Sequence, residues 1–228
     1  DALSVLGVAR DLAAKLGLKL RERQYSYNTV GDGTENQISV EIDDTKGCPK
    51  FGVRVLSNFS DAPSPAWMQE RLVAAGMRPI STIVDISNYV MLELGQPNHT
   101  YDLDLVSSNT FKVRRATDGE LLETLDGVER KLTSADLVVC DGADKPVGLG
   151  GVMGGASTEI SESTSTVVLE AAVWDRMTIA KTVRRLNLRS EASTRFERGV
   201  DPLGIERALD RFCQLADEIC RASIAPGT

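Results

Sequence analysis

The period of the hydrophobic residues changes along this chain, and the change decides the fold class. From Val5 to Leu16 and again from Trp67 to Leu94, apolar residues return every three or four positions, as on helices laid against a core. From Thr110 to Glu170 they alternate, or gather in short blocks such as Val167-Val168-Leu169, which is the pattern of strands. After Asp175 the helical period returns. Helices that bracket and interrupt mainly antiparallel sheets predict an α+β fold with a sandwich-like core. With no internal repeat and no low-complexity linker, residues 1–228 are expected to pack as a single module. Residues 1–105 are helix-rich, and 106–228 are strand-rich and then helical.

Local punctuation sets the boundaries. Ser4 is placed to cap a first helix that Gly17 closes, with Val5, Leu6, Ala9, Leu12, Ala13 and Leu16 as its buried face. Gln37–Ile42 and Phe51–Leu56 alternate as strands. Ser64 is placed to cap a second helix with Pro65 in its first turn and Trp67, Leu72 and Ala75 inward. A third helix starts at Thr82, with Asp85 reaching back to its beginning. Gly95 and Pro97 end it, and the loop that follows holds His99, Tyr101 and Asp102. Asp126-Gly127 joins a hairpin. Leu137–Cys140 and Thr166–Leu169 are expected as short buried strands, Asp175 is placed to cap a helix to about residue 188, and a last helix is expected to begin at Asp201-Pro202.

Charge, cysteines and histidine narrow the chemistry. A net charge of -7, from 26 basic and 33 acidic residues, argues against general nucleic-acid binding. Yet residues 171–200 hold seven basic against three acidic residues, among them Arg184, Arg185 and Arg189. That stripe is either the dock of an RNA end or a solvated helix face. Four scattered cysteines without a CxxC pair read as reduced thiols of a cytoplasmic protein. One histidine leaves no His-based metal site, and no metal is expected. No apolar run approaches the ~20 residues of a membrane span, and no secretion signal is visible. Opening at Asp1 with a helix almost at once, the chain reads as a piece of a longer protein.

Few segments can carry catalysis. Gly148-Leu-Gly-Gly-Val-Met-Gly-Gly155 is five-eighths glycine and matches neither a P-loop nor a dinucleotide fingerprint. It is either a wall of bare backbone against a ligand or a tight turn between strands. Glu170 closes an apolar run, as a sheet-end carboxylate or as a buried acceptor for a hydroxyl. His99 is a packed or surface group, or a base or RNA contact. Ser87, Ser190 and Ser193 lack a GxSxG setting, so a serine nucleophile is not expected.

Several strings occur together in order: Ser64-Pro-Ala-Trp-Met-Gln-Glu-Arg-Leu72, Val84-Asp-Ile-Ser-Asn-Tyr-Val-Met-Leu-Glu-Leu-Gly-Gln-Pro-Asn-His99, Leu149-Gly-Gly-Val-Met-Gly-Gly155, Leu169-Glu170 and Arg195-Phe-Glu-Arg-Gly-Val-Asp-Pro202. Together they resemble the editing module of bacterial-type phenylalanyl-tRNA synthetase β subunits, over nearly the whole chain. The resemblance implies a module of an (αβ)2 enzyme that pairs with a catalytic α subunit and clears tyrosyl-tRNA(Phe). The module itself needs no cofactor; ATP and Mg serve the whole synthetase.

By that resemblance, Glu170 and the glycine wall, Gly151 and Gly154, read the tyrosine hydroxyl. His99 and Ser87 lie near the ester as catalytic groups, while Asn88, Ser190 and Ala192 shape the walls. Relatives more often carry threonine at Ser87 and Ser190, and a Met-His-Ala-Phe-like string at Asn98–Tyr101. A synthetic pocket made for phenylalanine rejects an added hydroxyl only ~10²-fold, so a second pocket with an acceptor inverts the preference. The implied reaction is attack of a positioned water on the aminoacyl ester, with glycine-wall amides stabilising the oxyanion. The rival readings are a non-catalytic structural or tRNA-binding module, and a free-standing relative acting on other aminoacyl esters.

Overall fold

The structure is a computed structural model describing every residue except Asp1, Glu22 and Asp61. The helices are α1 (Val5–Leu16), α2 (Thr34–Gln37), α3 (Ala66–Ala74), α4 (Thr82–Leu94), α5 (Arg176–Leu186), α6 (Glu191–Phe196) and α7 (Ile205–Cys220). The strands are β1 (Ser39–Ile42), β2 (Lys50–Ser57), β3 (Asn98–Asp102), β4 (Thr110–Arg115), β5 (Leu121–Glu123), β6 (Glu129–Lys131), β7 (Leu137–Cys140), β8 (Pro146–Leu149), β9 (Met153–Gly154), β10 (Thr166–Val173) and β11 (Ser223–Ile224).

The strands form a five-stranded sheet in the order β1-β4-β7-β8-β9, a four-stranded sheet in the order β11-β2-β10-β3, and the β5-β6 hairpin. Only the β1–β4 pair is parallel among the described ladders. The architecture is α+β, as the periodicity predicts.

Two apolar clusters define the layers. Val53 and Val55 of β2, Val168 and Ala172 of β10, and Tyr101 of β3 share one core with Phe111, Val113, Val138, Val147 and Leu149 of the five-stranded sheet. Leu56 of β2 and Leu169 and Ala171 of β10 pack the opposite way, against Leu72 of α3, Ile86 and Val90 of α4, and Leu209 and Phe212 of α7. The central strand β10 is therefore covered on both faces. That explains why its sequence is a continuous apolar run rather than an alternation, and why a carboxylate at position 170 falls between the two sheets.

Capping follows chemistry. Ser4 Oγ accepts from the Gly7 amide at 2.9 Å and opens α1. Asp175 caps α5 by accepting from Thr178 N at 2.7 Å. Asp85 reaches back to the Ile80 amide at 2.8 Å and also accepts from Ser64 Oγ at 2.5 Å. Ser64 therefore ties α3 to α4 instead of capping α3, whose N-cap is Pro65.

Four further expectations change. The apolar face of α1 is not buried: Val5, Leu12 and Leu16 are 68%, 55% and 59% exposed, because α1 lies beside α4 at the edge of the helical layer. Trp67 is 38% exposed, its ring edge-on to Tyr89 at 5.2 Å, while Met68 and Leu72 take the inward positions of α3. The last helix begins at Ile205, three residues past Pro202. The segment holding His99 is strand β3 rather than a loop, because it completes the edge of the four-stranded sheet beside β10.

Candidate active site

Strand register assembles the site. In the β10–β3 ladder Glu170 lies directly opposite His99. Alternate residues of a strand share a face, and residues opposite each other in a ladder point the same way. His99, Tyr101 and Glu170 therefore all face the five-stranded sheet, with Val168 and Ala172. Glu170 is not at a strand end, since β10 continues to Val173. Its residue is only 7% exposed. Tyr101 Oη donates to Glu170 Oε2 at 2.5 Å. Burial pushes the carboxyl up to about 7, and the Tyr101 hydroxyl pulls it partly back. The Tyr101 phenol is itself raised, first by burial and then by the carboxylate.

Across the cavity runs the glycine segment, and here both sequence readings hold: it is a tight turn and it is a wall. Gly151 sits at φ +68 in the left-handed region, between β8 and β9, and Val152 N donates back to Leu149 O at 3.0 Å. A Cβ at Gly154 would collide with His99 Nε2, so the imidazole rests on bare backbone there. The amides of Gly150, Val152 and Gly155 already donate to backbone carbonyls, which withdraws them from the expected oxyanion role. Among the described hydrogen bonds, the turn amide of Gly151 has no backbone acceptor.

The third wall is α6. Ser190 caps it, accepting from Ser193 N at 3.0 Å, and its hydroxyl donates to Val152 O at 2.7 Å. This one side chain locks the helix to the glycine turn and brings Ala192 and Phe196 to the cavity.

The cavity enclosed by these walls and Trp174 measures about 80 Å³. Buried polar atoms are nearly always paired. Among the described residues five buried side-chain atoms are not, and two of them, His99 Nε2 and Trp174 Nε1, belong to side chains at this cavity, whereas the Asn98 amide turns the other way, to Ser87 of α4. Burial depresses the His99 pKa to about 4, so the imidazole is neutral at pH 7 and available as an acceptor. Among the described residues no group of three or more His, Cys, Asp or Glu converges to hold a metal.

The cavity brings together His99, Glu170, Gly151, Gly154 and Ala192 of the residues singled out from sequence. Ser87, Asn88 and Ser190 stand outside its lining. Ser87 Oγ donates to Asn98 O at 3.2 Å, and Asn98 Nδ2 donates back to Ser87 O at 3.2 Å, so Ser87 acts by holding β3 on α4. The large side chains of the lining that were not singled out include Tyr101, Trp174 and Phe196. For Tyr101 the signal was present in its i, i+2 spacing from His99.

Comparison with known proteins decides the family. The B3/4 domain model matches residues 47–221. The phenylalanine–tRNA ligase β subunits of Nitratidesulfovibrio vulgaris and Geobacter sulfurreducens are 52% and 44% identical to the chain, each over 227 residues. The chain belongs to the B3/4 domain family of phenylalanine–tRNA ligase β subunits. In both cases the match takes in 100% of the chain and 28% of the relative's length. An N-terminal fragment of the phenylalanyl-tRNA synthetase β subunit from Pyrococcus horikoshii is also similar, at 11% identity and a TM-score of 0.45, with 82% of the chain and 58% of the fragment covered. That likeness is too slight to bear on the site.

For a B3/4 domain the cationic stripe is partly committed. Arg185 is paired with the buried Asp136, and Arg189 with Glu197 at 3.1 Å, whereas Arg184 is exposed. No helix of the described residues is long and apolar enough to cross a membrane.

Proposed function

We propose that this cavity is an editing site that hydrolyses tyrosyl-tRNA(Phe). What supports the reading most is the buried Glu170 carboxylate facing a glycine turn, in a cavity where His99 Nε2 and Trp174 Nε1 are also unpaired. A tyrosyl guest brings a hydroxyl donor to the second carboxylate oxygen, beside the one Tyr101 holds. A phenylalanyl guest brings none. Hydrogen bonds to charged groups are worth about 1.5–3 kcal/mol net, enough to invert the preference of a phenylalanine-shaped synthetic pocket.

The same groups divide the hydrolytic work. The His99 pKa of about 4 makes it a weak base at neutral pH, so its neutral Nε2 orients the water or a ribose hydroxyl as a hydrogen-bond acceptor. The Gly151 amide is the available backbone donor for the developing oxyanion. Ser87 holds β3 in place and takes no covalent part. Admission of a phenol ring requires the walls to yield, since 80 Å³ is smaller than the ~150 Å³ apolar cavity that takes benzene.

In this reading the module works within an (αβ)2 synthetase. The acceptor end of tRNA(Phe) reaches it past Arg184, and the ATP and Mg of the ligase reaction act elsewhere in the assembly. The test is deacylation of tyrosyl-tRNA(Phe) and phenylalanyl-tRNA(Phe) by the intact synthetase. Faster clearance of the tyrosyl ester is expected. Uncatalysed rates for both would leave only a structural or tRNA-binding module.

A further inference from the structure

A second cleft, of about 230 Å³, lies on the other side of the ridge formed by α6 and the Gln96-Pro97 step. Gln96 and Arg195 line it, while their neighbours Pro97 and Phe196 line the editing cavity. Its walls carry Arg10 from α1, Arg195 and Arg198 from α6 and its end, and Arg207 from α7, against the single acid Asp201. Arg195 is buried and committed, bonded to Glu191 Oε2 at 2.8 Å and to Leu3 O at 2.9 Å. Arg10, Arg198 and Arg207 form no ion pair or side-chain hydrogen bond among the described residues. Three guanidinium groups thus line one cleft in which Asp201 is the single carboxylate among the described lining residues.

Two features point to the occupant. The sixteen-residue helix α7 begins at this cleft with no side-chain cap, so its positive end adds to the arginines. Gln96 is buried, its Nε2 donating to Ala172 O at 2.9 Å, while its Oε1 has no partner. An anion flanked by a hydroxyl donor satisfies both features, and a ribonucleotide carries a phosphate and a 2′-hydroxyl side by side. Arginine forks suit phosphate oxygens.

We infer that this cleft binds a backbone phosphodiester of the substrate's single-stranded 3′ end while the terminal aminoacyl ester lies across the ridge in the editing cavity. The inference rests on the editing reading above. It also gives the Arg195-Phe-Glu-Arg198 string two tasks at the end of one short helix, with Phe196 walling the guest and Arg198, just past the helix, holding the strand.

The test uses the intact synthetase and two esters, tyrosyl-tRNA(Phe) and phosphate-free 2′(3′)-O-tyrosyl-adenosine. In an Arg198→Gln/Arg207→Gln variant, the ratio of kcat/KM on the tRNA ester to that on the nucleoside ester is expected to fall by roughly 100-fold, about tenfold for each charged hydrogen bond removed. The slope of log kcat/KM against log salt for the tRNA ester is expected to flatten by about 0.7, one single-strand phosphate contact. Arg198→Lys/Arg207→Lys should restore the salt slope. If the wild-type enzyme hydrolyses both esters and the Gln variant keeps the wild-type ratio and slope, the phosphate site is overturned while the editing reading stands. If the wild-type enzyme hydrolyses neither, the editing reading fails and the inference falls with it.

Discussion

Tyr101→Phe removes one oxygen from the centre of the site, and its consequence can be worked from the Glu170 geometry. In the wild-type chain Glu170 already holds an internal phenol at 2.5 Å. A phenylalanyl guest therefore never leaves the carboxylate bare, which softens the penalty against the wrong substrate. Without the Tyr101 hydroxyl, a tyrosyl guest supplies the only phenolic donor, and a phenylalanyl guest leaves a buried charged acceptor unpaired at a cost of about 1–3 kcal/mol. Discrimination, the ratio of kcat/KM for tyrosyl- over phenylalanyl-tRNA(Phe), should widen by about 1–2 kcal/mol, or roughly 5- to 30-fold. The free protein should lose about 1–3 kcal/mol of stability for the same reason. The Tyr101 hydroxyl also lowers the Glu170 pKa, so the variant carboxyl titrates higher; the deacylation assay belongs at pH 8 or above, where more of it is ionised. A ratio that stays constant or narrows would refute the idea that Tyr101 competes with the guest for Glu170.

Two other perturbations test neighbouring parts of the site. Gly154→Ala drives a methyl into the His99 ring; kcat/KM should drop on the order of 10²-fold, the scale of an ångström's misplacement, and near-normal turnover would show that the ring position is unimportant. Glu170 ionises near 4.5 when unfolded and near 7 when folded, so its contribution is intact below about pH 4.5 and is lost as pH rises to 7. Glu170→Gln should therefore gain stability over wild type between pH 4.5 and 8, by about 3 kcal/mol in all, measured by urea unfolding at both ends. A difference that does not vary with pH would contradict a buried, neutralised carboxyl.

Much of the fold was legible because it depends on local chemistry. Ser4, Asp175 and Asp126-Gly127 do what their residue types dictate. The departures come from tertiary partners. Val5, Leu12 and Leu16 have the spacing of a buried face, yet the described residues offer them no second layer. Asn98–Asp102 is polar and follows a helix terminator, which conceals a strand formed only by pairing with β10. Glu170 looked terminal because Val167–Leu169 is the most apolar part of a strand that Ala171, Ala172 and Val173 extend. For the site, residue types and motif order singled out His99, Glu170 and the glycine turn. The register that sets Glu170 against His99, and the internal phenol of Tyr101 between them, required the pairing of two strands 69 residues apart. Ser190 was a legible hydroxyl with an illegible job, since its acceptor Val152 O belongs to the glycine turn.

The claim beneath all of this is that the carboxylate of β10 tells a phenol from a bare phenyl ring. Comparing Glu170→Ala with wild type in the intact synthetase, as initial deacylation rates on tyrosyl- and phenylalanyl-tRNA(Phe), addresses it directly. The variant's tyrosyl rate should fall toward its phenylalanyl rate, so that the preference collapses. A variant that keeps the wild-type preference would contradict it, whatever its absolute rates.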